Sequence, residues 1–206
     1  LQGMNKFTIE FWAKAGPNGS DPSFIGDKDW DSGGNPGFTI CRSGSGWKIN
    51  IANTKRERYD VGSSKPLEDG NWHHLAVVFD KTKLCTVYQD GEKVGESVLT
   101  YKPGDDMTSP FNYLCLGQDG TQTYSGGYPN WAGSFNEVRI WTDALSEQTI
   151  RDYMYLRNIE NSGHPNRASL NLYLKMDEVR GSVVKDFSGK GNNGELIGAA
   201  SERHPY

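Results

Sequence analysis

In the stretch KFTIEFWAKA, Phe7, Ile9, Phe11 and Ala13 alternate with Thr8, Glu10, Trp12 and Lys14. A period of two sends alternate side chains to opposite faces, so the segment predicts a strand with one face in a core. The signal recurs along the chain. PGFTICRSG and WKINIA read as two strands separated by SGSG. NWHHLAVVFD, nearly continuous in apolar residues after Leu75, reads as a central strand. LCTVYQDGEKVGESV predicts a hairpin turning at Asp90-Gly91. NYLCLGQDG and SLNLYLKMDE add strands, and so does GSFNEVRIWT, although Phe135, Val138 and Ile140 alternate less cleanly there. DFSGKGNNGEL predicts a glycine-rich turn into a last short strand. One segment changes period. In SEQTIRDYMYLRN, Ser146 is placed to cap a short helix whose Ile150, Tyr153 and Met154 share a face. A dozen or so short strands, close turns and one short helix specify an all-β fold, a two-sheet antiparallel sandwich.

A chain of 206 residues is long enough to bury a substantial core as one domain. Its net charge of −4, with no basic run, argues against nucleic-acid binding. No stretch is apolar enough to span a membrane. Leu1 opens no signal peptide, which predicts a mature protein or a piece cut from a longer one. The three cysteines, Cys41, Cys85 and Cys115, are odd in number and widely spaced, which excludes a disulfide framework. With no C-x-x-C among them, they read as buried thiols.

FIGDKDWDSGGNPGF, residues 24–38, places Asp27, Asp29 and Asp31 at alternate positions. An EF-hand loop counted from Asp27 would need Gly at position six and Glu at position twelve, where this chain has Ser32 and Phe38. Two readings stay open. Three hard oxygen donors contribute to a Ca²⁺ site if a second loop completes the shell. Otherwise Asp, Gly, Asn and Pro here are turn chemistry.

Four stretches together resemble the laminin-G-like, concanavalin A-like jelly-roll family in its bacterial branch. They are FTIEFWAKA, DGNWHHLAVVFD with VYQDGEKVG, GSFNEVRIWTDALSEQTI, and LYLKMDE with GSVVKDFSGKGNNGEL. The resemblance implies a jelly-roll module beside other domains of a secreted or cell-surface protein, often one that processes or binds glycans. Trp72 and Trp141 are expected as core aromatics. The segment resembling L-x-Y-x-x-x-D-E…D-x-S-G-x-G-N-x-G, which commonly opens such domains, stands at 172–194 here. A single domain over residues 1–206, closed by its own segment 170–197, is therefore expected, because a sandwich lacking that strand exposes an edge.

The sandwich is also that of pentraxins, which hold calcium partly through a loop after a strand resembling YLCLGQDG. That resemblance implies one Ca²⁺ shared by Asp27, Asp29 or Asp31 with Gln118 and Asp119, the two loops facing each other. Asp177, Glu178, Asp186 and Asn192 form a second acidic group, for which turn capping is the favoured role.

Catalysis is not expected. The glucanase branch carries its acids as E-x-D-x-E on one strand, whereas Glu137 and Asp143 in NEVRIWTD have no such spacing. His73 and His74 sit at a strand start, and no Ser or Cys lies in a nucleophile elbow. A carbohydrate-binding module is the leading expectation, with a protein-interaction or spacer module as the alternative. Sugars stack their C–H faces on aromatic rings, and Trp30, Tyr124, Tyr128 and Trp131 lie in loops where a core role is less natural. Trp30, Tyr128 and Trp131 are expected to form a rim over an acidic floor of Asp27, Asp29 and Asp119. The negative charge disfavours sulfated polymers, unless KRER (55–58) acts as a local basic patch.

Overall fold

Strand β1, Lys6–Ala15, lies inside the larger of two antiparallel sheets, between β6 (His73–Asp80) and β10 (Gly133–Trp141). In this computed structural model, which describes residues 3–17, 19–125, 131–177 and 181–198, that sheet runs β11-β10-β1-β6-β7-β8. Its other members are β7 (Leu84–Gln89), β8 (Glu92–Val98) and β11 (Leu170–Leu174). The second sheet runs β5-β4-β3-β2-β9, from β2 (Ser23–Gly26), β3 (Gly37–Ser43), β4 (Gly46–Ala52), β5 (Arg58–Ser63) and β9 (Cys115–Leu116). A small hairpin pairs β12 (Val183–Val184) with β13 (Gly194–Glu195). The architecture is a jelly-roll sandwich.

Phe7, Ile9, Phe11 and Ala13 enter the space between the sheets, as their alternation predicts. There they meet Phe38, Ile40, Trp47, Ile49 and Ile51 of the facing sheet. The Asp90-Gly91 turn joins β7 to β8 with both residues at positive φ, the conformation such two-residue hairpins require.

On the opposite face of β1, Thr8 and Glu10 are covered, Trp12 is half-buried and Lys14 is exposed. Helix α1, Glu147–Tyr153, is capped by Ser146, which accepts from the Thr149 N–H. Its Ile150 packs on Ala76, Val78, Tyr88 and Trp141 across the outer face of the six-stranded sheet. Thr8 fastens this cover by donating to the Asp143 carbonyl and accepting from the Leu145 N–H. Glu10, which alternation assigns to the polar face, is thereby buried.

Trp141 is fully buried, but Trp72 is only half-buried in the loop before β6, so just one of the two expected core tryptophans lies in the core. Cys41 and Cys85 are buried free thiols. Burial pushes the Cys85 thiol up to about 12, and Cys115 is half-buried.

Candidate functional site

Loops 27–36 and 117–125 meet because β2 lies between β3 and β9. The Trp30 N–H donates to Asp119 Oδ2 at 2.9 Å, and the Gly120 N–H donates to the Lys28 carbonyl at 2.8 Å. Gly120 lies so close to the Asp27 carbonyl that a Cβ would collide with it. Both loops fold over the outer face of the five-stranded sheet. Under them Lys28 is fully buried, its Nζ donating to Asn50 Oδ1 at 2.6 Å and to the Gly33 carbonyl at 2.9 Å. Burial, aided by the Arg58 charge, pulls the Lys28 ammonium down to about 8 against the opposing pull of Asp27 and Asp60.

The carboxylates act as loop fasteners. Asp119 is fully buried. Its Oδ1 accepts from the Thr121 N–H and hydroxyl, and its Oδ2 from Trp30. Asp27 Oδ1 accepts from the Phe38 N–H at 2.8 Å. Burial nevertheless raises its carboxyl to about 6. Asp29 Oδ1 accepts from the Asp31 N–H, and Asp31 itself is exposed. Gln118 Oε1 accepts from the Asp119 N–H, while its Nε2 donates to the Tyr124 carbonyl. Among the described residues no three Asp, Glu, His or Cys side chains converge on a metal position. Of the donors that the pentraxin resemblance implies, Asp27 Oδ1, Asp29 Oδ1, Gln118 Oε1 and both Asp119 oxygens already accept N–H or O–H groups, whereas Asp31 stands exposed.

The aromatics also differ from expectation. Trp30, Tyr124 and Trp131 are 6%, 9% and 7% exposed, so they do not make an open rim. Trp30 donates through Nε1 to the Asp21 carbonyl, and the Tyr124 hydroxyl donates to Asp21 Oδ1. Both rings cover Cys41. Trp131 packs on Phe24 and Phe135 at centroid distances of 5.0 and 4.2 Å. Each ring gains more by covering apolar surface than by standing in water. Tyr128 lies outside the described residues.

The second acidic group does not converge either. Asp186 accepts from the N–H groups of Tyr173, Ser188 and Asn192 and from the Ser188 hydroxyl. Asp177 pairs with Arg157 at 2.8 Å, and Glu178 lies outside the described residues. KRER is dispersed in function: Lys55 pairs with Asp105, Arg58 with Asp60, and Arg56 donates to Ser32 Oγ.

An exposed aromatic platform stands instead on the six-stranded sheet. Tyr155, just past α1, is 71% exposed, and its ring lies 5.3 Å from that of half-buried Trp12. Trp12 donates through Nε1 to the Met154 carbonyl at 3.0 Å, fixing the backbone that carries Tyr155. The sequence held one sign of this: Tyr155 falls off the Ile150–Met154 face of the helix.

The buried carboxylates under this face are engaged. Glu10 Oε1 accepts from Arg139 and Trp141, and Glu137 Oε2 accepts from Arg139 and the Tyr173 hydroxyl. Burial alone would raise the Glu10 carboxyl, but the contact with His74 and the Arg139 charge outweigh it and hold it down at about 2. Asp143 accepts from Ala144 and Asn166.

A laminin-G family model, described as the concanavalin A-like lectin/glucanases superfamily, matches residues 1–151. The chain belongs to the concanavalin A-like lectin/glucanases superfamily. Solved structures with this superfamily's fold resemble it at low identity. One, from Bacteroides ovatus ATCC 8483, is described as a candidate carbohydrate-binding protein. It is 20% identical over 94% of this chain, with a TM-score of 0.69, and this chain spans 54% of its length. The CBM40 of the Ruminococcus gnavus IT-sialidase is 16% identical over 73% of this chain and 83% of its own, with a TM-score of 0.56. The binding domain of Paraclostridial Mosquitocidal Protein 1 is 16% identical over 78% of this chain and 39% of its own, with a TM-score of 0.54. No curated protein matches the chain.

Proposed function

We propose that this chain is a non-catalytic carbohydrate-binding module of a larger secreted or cell-surface protein. The observation that carries the reading is the Tyr155–Trp12 platform. A flat ring, 71% exposed and held by a braced neighbour, offers the apolar face on which a sugar stacks at small entropic cost. Similar folds lend support: the Ruminococcus gnavus CBM40 has been solved with alpha2,3 sialyllactose, and the Bacteroides ovatus protein is described by carbohydrate binding. The absence of turnover is part of the proposal, because Glu10 and Glu137 spend their charge on Arg139 rather than facing a scissile bond. No helix among the described residues is long and apolar enough to cross a membrane.

A glycan array probed with the whole chain tests this. Binding to a defined glycan, lost in Tyr155→Ala at unchanged melting temperature, is expected. An array silent toward neutral and acidic glycans alike would sink the reading in favour of a spacer or protein-interaction module.

A further inference from the structure

A cleft of about 300 Å³ lies outside residues 1–151, lined by Glu160, Arg167, Ala168, Leu170, Ser188 and Lys190. Three turns build it: the 3-10 turns Ile159–Asn161 and Arg167–Ser169, and the bend after Phe187. Its backbone is well fixed. Ser188 donates its N–H and hydroxyl to Asp186 and its hydroxyl also reaches the Asn171 carbonyl, while the Lys190 N–H donates to Ser188 Oγ. The Arg167 N–H donates to the His164 carbonyl.

The side chains at its mouth are less committed. Arg167 and Lys190 are both exposed, and neither cation has a carboxylate partner among the described residues. On the inner side Glu160 Oε1 is neutralised by Lys175 Nζ at 2.9 Å. Among the described residues Glu160 Oε2 is buried with no hydrogen-bond partner, a cost that a ligand donor would offset once the partly exposed side chain turns this oxygen to the cleft. Exposed Ala168, backed by the buried Leu170, supplies a small apolar wall.

The geometry points to a second binding site, for one acidic sugar residue. Its carboxylate would lie between Arg167 and Lys190, a hydroxyl would donate to Glu160, and the C–H face would rest on Ala168. A bare inorganic anion would use the two cations and leave both the apolar wall and the Glu160 oxygen unsatisfied. The volume is at the small end of ligand pockets, about 300–1,000 Å³, which suits a single ring and not a chain. The inference deepens the carbohydrate-binding reading by naming a ligand class, but it uses none of the residues of the Tyr155 platform.

The test is an amide-resolved NMR titration of the whole chain with glucuronate, galacturonate and N-acetylneuraminate. Glucose, galactose and acetate serve as controls. Saturable shifts at Arg167, Ala168, Ser188 and Lys190 are expected with at least one acidic sugar, and Arg167→Gln with Lys190→Gln should weaken that binding at least tenfold. Both positions are exposed, so these variants are expected to fold. The same shifts should persist in Tyr155→Ala, which separates this site from the platform. No acidic sugar shifting these amides would overturn the site while leaving Tyr155-dependent glycan binding intact. Equal shifts with acetate would reduce it to an adventitious ion only, and equal shifts with glucose or galactose would remove the role given to the cations.

Discussion

Asp119 accepts the backbone N–H of Trp30 across 89 residues of sequence, and both groups are buried. Removing this carboxylate strands the Trp30 and Thr121 donors together. Hydrogen bonds to charged groups are worth about 1.5–3 kcal/mol each, so Asp119→Ala should cost about 3 kcal/mol in a denaturant titration. Because Asp27, Asp29 and Asp119 already accept hydrogen bonds within the loops, adding calcium to chelator-treated protein should leave the melting temperature where it was. A calcium-dependent rise that Asp119→Ala abolishes would mean that the loops re-form around a cation.

Trp131→Ala and Tyr155→Ala should behave oppositely. Trp131 fills space between Phe24 and Phe135, and emptying such a site costs about 3–5 kcal/mol. Tyr155 is solvent-facing, so its loss should change stability by no more than about 0.5 kcal/mol while removing glycan binding. Unfolding curves and a binding isotherm for the same two variants decide the matter.

Two buried carboxyls give the pH profile opposite slopes. Glu10 has its pKa lowered to about 2. Its contribution to stability is therefore full above its ordinary value near 4.5 and is lost as pH falls from there toward 2. Asp27 is raised to about 6. Its contribution is full below its ordinary value near 3.8 and is lost as pH rises through 6. Each should amount to about 3 kcal/mol. Urea titrations between pH 2 and 7 should show Glu10→Gln flattening the acid limb and Asp27→Asn flattening the decline between pH 4 and 6.

Arg139 serves Glu10 and Glu137 at once. Arg139→Ala leaves two buried carboxylates without their partner and should cost about 3–5 kcal/mol. Glu137→Gln should lower stability and reveal no turnover to be lost. Polysaccharide hydrolysis by the purified chain that vanishes in Glu137→Gln would contradict the binding-module reading.

Deleting residues 170–206 should abolish folding, not trim a tail. Leu170–Leu174 pairs with β10, and its Leu172 and Leu174 complete the core while Leu170 and Tyr173 complete the outer cluster. A truncated chain with a cooperative transition near that of the full chain would show that residues 1–169 suffice.

The sheets were legible in the sequence because alternation is local: each β1 residue announces its face through its neighbours two positions away. β10 read poorly for a definite reason. Glu137 takes a φ of 52°, and the bulge there puts Phe135 and Val138, three apart, against the same core. The site was less legible because its contacts are distant. Nothing near Trp30 or Tyr124 signals that Asp21 will hold both, and nothing near Glu10 signals that residues 142–164 will cover it. Loop aromatics look available until the fold supplies the surface that buries them.

The interior position of β1 has a consequence for synthesis. Ile9 pairs with Val77 on one side and with Ile140, 131 residues later, on the other. At about 5–20 residues per second, a ribosome needs roughly 7–26 s to span that interval. For all that time one of the most apolar strands of the protein has one edge open, with its second neighbour still unmade. A nascent chain in that state would be drawn to pair with another nascent chain on the same message. Expression yield should therefore depend on translation speed and on chaperones that shield a single extended strand, more than on the stability of the finished sandwich.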